Sequence, residues 1–246
     1  MRKLEIKYSH LRDLLNKSEL NIAIKAAIVC VVLFLSACAS QNESVDQSQQ
    51  VLNYQQSDQD YAEIVEKIVQ GSANAKDFDL LTRIFPLTSF YKPSSGAEQA
   101  AKLQSQYFME NENWQACLEV NNKLLEINYS SLTGHYGASI CATELGNLEK
   151  GRFHNLVLDS FIESIWRTGD GKSPQTALYV TSANDLYAFI QLHQLVAVGQ
   201  SLVYLNKLPV QVIQVQDPKT NRTTTWHFDL TSQFRRGLID QLEGKQ

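Results

Sequence analysis

The sequence predicts an α+β fold, in which helical hairpins are followed by a small antiparallel sheet with a capping helix. Up to Trp166, apolar residues recur at the three- and four-residue spacing of an α-helix. After Ala177, they alternate with polar residues in short segments that are rich in β-branched and aromatic side chains. Of the 246 residues, 43% are hydrophobic, which is enough for a packed core.

The amino-terminal segment has the composition of a secretory signal. Met1 to Lys25 contains six basic and three acidic residues, a net charge of +3, and the uncharged run "AAIVCVVLFLSAC" follows it. This run is shorter than the roughly 20 apolar residues that span a bilayer comfortably. A buried core helix or a weak membrane anchor is the alternative interpretation.

The end of that run, "LSAC" at residues 35–38, resembles the lipobox of bacterial lipoproteins. The resemblance implies that residues 1–37 are a signal peptide, and that acyl chains such as palmitate anchor the mature chain to a membrane through Cys38. Ala39 follows the cysteine, and the absence of Asp there favours sorting to the outer membrane. We therefore expect a lipoprotein of the bacterial cell envelope, on the periplasmic face of the outer membrane.

Charge argues against nucleic-acid partners. The whole chain has a net charge of −4, and removal of the basic leader leaves the remainder at −7. Nucleic-acid binding requires a basic surface instead. Residues 38–57 are rich in Gln, Ser and Asn and predict a flexible tether.

Residues 58–166 predict helical hairpins. Two helices near Tyr61 and Phe78 are followed by four more, at Ala97–Glu110, Trp114–Ile127, Ser131–Leu145 and Leu148–Trp166. The short turns and a period near 34 residues resemble a tetratricopeptide-like array. Lys150 departs from that pattern, because it lies where a small residue is expected.

Residues 167–246 predict a small antiparallel sheet with helices, packed on the helical region. The strand candidates are "ALYVTS", "QSLVYLN", "LPVQVIQVQ" and "TTTWHFDLT", with a capped helix between the first two. A break in the alternation between Val212 and Ile213 indicates a bulge. The last helix is predicted to direct Phe234, Leu238 and Leu242 inward.

The stretch "RTGDGKSPQTA" at residues 167–177 resembles the end of a nucleotide-binding loop, but its context excludes that function. A Walker A loop requires glycine where this chain has Trp166, with a strand before the loop and a helix after it. Here a helix precedes the loop and Pro174 follows it. No nucleotide is therefore expected, and the glycines predict a tight turn.

A longer block, "WRTGDGKSPQTALYV", with the run that continues to "WHFDLT", resembles a family of bacterial envelope proteins known only as a domain of unknown function. The helical part, including "GHYGA" around His135, agrees with the same family. This resemblance implies a shared fold and no known activity.

The turn and one histidine are the candidate ligand-binding residues. Arg167, Asp170, Lys172 and Ser173 offer charges of both signs on a constrained backbone, which suits a peptide or a carboxylate. The alternative is that Asp170 and Lys172 cap helix ends and connect the two regions. His135 is the most site-like histidine, because Gly134 and Gly137 would permit close approach.

Cys117 and Cys141 are predicted at matching heights on adjacent antiparallel helices, so they form either a disulfide or two buried free thiols. The histidines show no metal-ligand spacing, and no metal or cofactor is expected. No residue is assigned a catalytic role, because the sequence shows no nucleophile motif or triad.

Three functional hypotheses follow. The first is a lipid-anchored periplasmic binding or scaffolding module for an envelope protein or peptide. The second is a periplasmic hydrolase or small-ligand binder, with a pocket where the Gly169–Ser173 loop meets His135. The third is a purely architectural envelope component.

Overall fold

The computed structural model describes residues 54–93 and 95–243, and this part of the chain contains eight α-helices and four strands. The predicted signal peptide, Cys38 and most of the predicted tether lie outside the described residues. The first helix includes residues 54–57, so helical structure begins inside the segment that was assigned to the tether.

Two helices and a 3-10 turn open the described chain: α1 (Tyr54–Val69), α2 (Ala75–Ile84) and the turn Phe85–Leu87. Gly71, with φ of +69°, ends the α1 segment, because a left-handed residue there lets two backbone N–H groups reach back to the last helical carbonyls. The Asn74 side chain caps α2. Phe78, Leu81 and Ile84 of α2 are buried.

Four further helices form successive antiparallel hairpins: α3 (Ala97–Glu110), α4 (Trp114–Ile127), α5 (Leu132–Glu144) and α6 (Leu148–Thr168). Their predicted bounds are confirmed to within two residues. Asn113 and Asn147, at positions 34 residues apart, cap α4 and α6 with their side chains. Glu112 and Gly146, one position earlier, both have positive φ.

The carboxy-terminal region contains four strands and two helices: β1 (Leu178–Tyr179), α7 (Ala183–Leu192), β2 (Val196–Leu205), β3 (Leu208–Gln216), β4 (Thr223–Asp229) and α8 (Thr231–Glu243). The strand order is β1-β4-β3-β2. The sheet is mixed, because β1 pairs with β4 in parallel, whereas a wholly antiparallel sheet was predicted. The parallel pairing arises because the chain passes through α7 and the β2–β3 hairpin before it returns beside β1.

The β2–β3 hairpin contains a tight turn and a bulge. Asn206 and Lys207 form the turn, and both residues have the positive φ that a tight hairpin requires. The bulge was placed wrongly between Val212 and Ile213. It lies in β2, where the register shifts between Ala197 and Gly199, and a glycine within a strand is the local signal for it.

One hydrophobic core joins the helices to the sheet. Side chains of both regions are fully buried in it, among them Leu81, Leu132, Phe161, Phe189, Ile213 and Phe228. The helical and sheet regions are therefore packed on each other through this shared core.

The inward face of α8 was predicted wrongly. Phe234 and Leu238 are each 46% exposed, whereas Arg236 is 5% exposed, and the Leu242 side chain lies outside the described side chains. Arg236 Nη2 donates hydrogen bonds to the backbone oxygens of Pro86 and Thr88, at 3.2 and 2.7 Å. Carbonyls at the end of a buried turn need donors, and the arginine supplies them.

Candidate functional site

One concavity of the described structure is a groove beside α1, which we name the α1 groove. It has a volume of about 1160 Å³ and lies between α1, α4 and the first turns of α6. Its apolar lining consists of Ala62, Val65, Val69, Phe90, Leu125 and Phe153. A volume of this size accommodates a peptide segment or a helix face.

The polar lining of the α1 groove is mainly acidic. Its carboxylates are Asp58, Glu66, Glu126 and Glu149, and Lys150 is the one lysine or arginine among the described lining residues. Asp58 is already engaged, since it accepts hydrogen bonds from the Ser89 N–H and hydroxyl at 2.8 and 2.7 Å. Glu126 and Glu149 are exposed to solvent. The groove therefore favours a ligand with apolar and basic groups.

A pair of histidines lies at the base of this groove. His154 lines it, and its Nδ1 is 3.1 Å from the Nδ1 of the fully buried His135. The Nε2 of His135 is 2.7 Å from the Tyr129 carbonyl, which only accepts, so this nitrogen carries the proton. His135 Nδ1 then accepts from the His154 Nδ1–H.

Burial keeps both histidines neutral. It lowers the pKa of His135 to about 3, with a smaller contribution from His154, and the pKa of His154 to about 4, where Lys150 adds to the effect. His135 has no exposed surface and both of its ring nitrogens have protein partners. It therefore holds the loop before α5 against α6.

The glycines beside His135 serve helix packing. A Cβ at Gly134 would meet Leu125 at 2.7 Å, and a Cβ at Gly137 would collide with the side-chain amide of Asn121. Both neighbours belong to α4, so these glycines let α4 and α5 approach closely. The close approach that the sequence indicated is real, but the approaching group is a helix.

The Gly169–Ser173 loop is closed by its own hydrogen bonds. Asp170 Oδ1 accepts from the Lys172 N–H at 3.0 Å and from the Thr176 hydroxyl at 2.6 Å, and these bonds with Thr176 and Lys172 lower its pKa. The Gly171 carbonyl accepts from the backbone N–H and the Nδ1 of His227, at 2.8 and 2.9 Å. Ser173 Oγ is 3.1 Å from the Thr176 hydroxyl. These contacts attach the loop to β4.

The charged residues in and beside the loop have partners within the protein. Arg167 contacts Asp79 of α2 through Nε and Nη2, with Nη2 at 2.7 Å, and Nη2 also donates to the Ala75 carbonyl. Lys172 Nζ is 3.4 Å from the Asp170 carboxylate. Arg167 thus joins α6 to α2, and the described contacts of Asp170, Lys172 and Ser173 do not include His135.

The structure has a disulfide between Cys117 of α4 and Cys141 of α5, whose Cα atoms are 6.0 Å apart. Both residues are fully buried. The sulfur of Cys117 is 4.0 Å from Ser105 Oγ of α3, so this link lies where three helices meet.

A carboxyl pair was not recognised in the sequence. Glu98 lies in the first turn of α3, and Asp185 lies in the first turn of α7. Burial raises the pKa of Asp185. Burial and the charge of Asp185 raise the pKa of Glu98 to about 7. Asp185 accepts hydrogen bonds from Thr181 Oγ1 and the Leu132 N–H, at 2.7 and 3.2 Å. The Ser182 side chain caps α7 by accepting from the Asp185 N–H, but no local signal links Asp185 to a residue as distant in sequence as Glu98.

The described residues contain neither a membrane-spanning helix nor a metal-binding cluster. Within residues 54–93 and 95–243, no helix combines the length and apolarity that crossing a membrane requires. The same part of the chain has no group of three or more His, Cys, Asp or Glu side chains arranged to hold a metal ion.

Comparison with known proteins places the chain in a family without an assigned activity. No curated protein and no solved structure matches it. One family model matches residues 55–236, which include all of the helical hairpins and the whole sheet. The chain therefore belongs to the family described as domain of unknown function (DUF4919).

Proposed function

We propose that this protein is a binding or scaffolding module of the bacterial envelope, and that the α1 groove binds a partner segment with apolar and basic side chains. The observation that carries the proposal is the combination of an apolar floor and an acidic rim in one groove of about 1160 Å³. An amphipathic segment buries its apolar face in such a groove, and its basic residues meet the rim.

The helical hairpins support this function. Ser105 and Ser139 are buried at positions 34 residues apart, as are Cys117 and Gly151. Together with the repeated caps at Asn113 and Asn147, this favours a tetratricopeptide-like array of two hairpins. Such stacked hairpins present concave surfaces that bind peptides.

We also propose that the chain is a lipoprotein whose Cys38 is acylated, at the periplasmic face of the outer membrane. The "LSAC" sequence after a short apolar run supports this location. The disulfide between Cys117 and Cys141 is in keeping with an oxidising compartment. Cells fed labelled palmitate should label the wild type and leave Cys38→Ser unlabelled, and an unlabelled wild type would overturn the anchor.

The groove is tested with a defined probe. A fluorescent, helix-forming peptide with leucines on one face and lysines beside them should bind the wild type saturably, as measured by fluorescence anisotropy. Val69 is 58% exposed and lines the groove, so Val69→Asp should weaken binding without disturbing the core. Leu156, 68% exposed on α6 and outside the groove, provides the control Leu156→Asp.

Charge reversal tests the acidic rim separately. Glu126→Lys combined with Glu149→Lys should weaken binding of the lysine probe about tenfold, or 1.4 kcal/mol. The matched control is Glu119→Lys with Asp159→Lys, on the same two helices but outside the groove. Equal binding of an acidic version of the probe, or equal loss in the control, would contradict the proposal.

The geometry does not favour a hydrolase or ligand pocket between the Gly169–Ser173 loop and His135. The histidine has no exposed surface, and the loop is occupied by its own hydrogen bonds. A purely architectural protein remains as the outcome in which the probe binds neither the wild type nor its variants.

A further inference from the structure

A second cavity, separate from the α1 groove, lies beside Arg83, and we name it the Arg83 pocket. It has a volume of about 260 Å³ and is formed by the end of α2, the segment after the Gly169–Ser173 loop, and the tip of the β2–β3 hairpin. None of its lining residues also lines the α1 groove. A site here is therefore independent of the proposed function.

Arg83 forms no close ion pair among the residues that the structure describes, although its charge contributes to lowering the pKa of Asp79, which is itself bonded to Arg167. Its guanidinium lies over the ring of Tyr179, 3.9 Å from the ring centroid. The described ion pairs and hydrogen bonds leave the N–H donors of this guanidinium without an acceptor. By contrast, Arg167 of α6 donates hydrogen bonds to the Asp79 carboxylate through Nε and Nη2.

Tyr179 gives the arginine a rigid platform. Its side chain is buried, its hydroxyl is 2.7 Å from Ser232 Oγ, and its backbone N–H donates to Thr168 Oγ1 at 2.8 Å. A guanidinium that already stacks on a fixed ring loses less conformational entropy when it binds a ligand.

A second charge lies close to the same tyrosine, because Asp229 is the register partner of Tyr179 where β1 pairs with β4. Burial raises the pKa of Tyr179, while the positive charge of Arg83 lowers it and the negative charge of Asp229 raises it. Both charged residues line the pocket, yet they do not form an ion pair with each other within the described structure. The Arg83 guanidinium attracts an acidic group of a ligand, whereas the Asp229 carboxylate favours a ligand ammonium.

The remaining lining combines five apolar residues with the polar residues Thr168, Gln175, Asn206 and Thr231. The apolar wall consists of Leu205, Leu208 and Val210 from the hairpin, and of Pro174 and Ala177 from the opposite segment. Leu208 is 36% exposed, so part of this wall is open to solvent. Burial of a ligand's apolar side chain here would stabilise the complex.

We propose that the Arg83 pocket binds an α-carboxylate that is adjacent to an apolar side chain. The carboxylate accepts two hydrogen bonds from the Arg83 guanidinium, and the apolar side chain lies on Leu205, Leu208 and Val210. The volume of about 260 Å³ fits one amino-acid residue rather than a larger ligand. The source of this chemistry is a free amino acid or the carboxy-terminal residue of a peptide.

Three related ligands test the chemistry by isothermal titration of the complete protein: L-leucine, N-acetyl-L-leucine and L-leucinamide. At least one of the two carboxylates should bind, and leucinamide should bind at least about tenfold more weakly because it lacks the anion. Glycine should also bind more weakly than leucine, since it leaves the apolar wall uncovered. Equal binding of leucinamide, or no saturable binding up to about 10 mM of any ligand, would overturn the proposal.

Two arginine variants test whether the ligand binds in the Arg83 pocket. Arg83→Gln should lower the affinity for the preferred carboxylate about tenfold, while Arg152→Gln, an exposed arginine of α6 outside the pocket, should not. Both variants should keep the circular dichroism spectrum and thermal midpoint of the wild type, because Arg83 is exposed. Unchanged affinity in a folded Arg83→Gln variant would exclude this pocket.

The same experiment distinguishes the two sources. If the ligand is a free amino acid, leucine should bind more tightly than N-acetyl-leucine, and Asp229→Asn should remove that preference because the ammonium loses its partner. If the ligand is a peptide terminus, N-acetyl-leucine should bind at least as tightly as leucine. Either pattern supports an α-carboxylate site, and an affinity for both ligands that Arg83→Gln leaves unchanged refutes it.

Discussion

Asn121 is fully buried where α3, α4 and α5 meet, and its contacts show how single residues set helix spacing. Its Nδ2 donates to Ser105 Oγ at 2.7 Å and to the Cys117 carbonyl at 2.8 Å. A Cβ at Gly137 would overlap the same side-chain amide. A buried amide with partners on two helices has little freedom to move aside.

We therefore expect Gly137→Ala to lower the free energy of unfolding by about 2 kcal/mol, because the added methyl group must displace Asn121 or separate α4 from α5. Urea unfolding followed by circular dichroism measures the change. Gly237→Ala in α8 is the matched control, since a Cβ there meets nothing within 4 Å. The control should be neutral or slightly stabilised, because alanine favours helices. A Gly137→Ala variant as stable as the wild type would contradict this account.

At this scale, the sequence identified several important residues but assigned some of them the wrong role. Gly134 and Gly137 were recognised as permitting close approach, yet the sequence does not state which group approaches. Phe234 and Leu238 were expected in the core, and Arg236 is buried instead because carbonyls of Pro86 and Thr88 need its donors. Such demands arise from tertiary contacts, which periodicity does not record.

At the scale of the elements, local signals were reliable and long-range pairing was not. The bounds of α3 to α6 followed from caps such as Asn113, Ser131 and Asn147, whose side chains bond to backbone groups three residues away. The parallel pairing of β1 with β4 joins Leu178 to Phe228, and no local pattern records that contact. For the same reason, the α1 groove, which α1, α4 and α6 form together, could not be predicted.

The link between α4 and α5 yields a prediction at this scale. The disulfide closes a segment of 24 residues, so its removal should increase the entropy of the unfolded chain and destabilise the fold by about 3 kcal/mol. The double variant Cys117→Ser/Cys141→Ser should show this loss in urea unfolding without reductant. With reductant, the wild type should approach the variant. A chain that begins at Ala39 contains only these two cysteines, and detection of two free thiols in it would contradict the bond.

Across the whole molecule, two buried clusters respond to pH in opposite directions. His135 and His154 have folded pKa values of about 3 and about 4, below the 6.5 of an unperturbed histidine. Their stabilisation is complete above pH 6.5 and is lost as the pH falls towards 4, because the unfolded chain binds more protons. Glu98 has a folded pKa of about 7, above the 4.5 of an unperturbed glutamate, so its contribution is complete below pH 4.5 and is lost as the pH rises through 7.

Between about pH 4.5 and 6.5 these two contributions oppose each other, and the wild-type free energy of unfolding should vary less with pH than either cluster alone would require. Glu98→Gln should remove the contribution of Glu98, so stability should rise more steeply with pH, by up to about 1.4 kcal/mol per unit, and exceed the wild type at pH 8. His154→Gln keeps a donor for His135 and should shift the slope in the opposite direction. Urea unfolding at intervals from pH 4.5 to 8 measures these slopes, with Glu149→Gln, an exposed residue, as the control. Parallel profiles for both variants and the wild type would show that the two clusters do not determine the pH dependence of this fold.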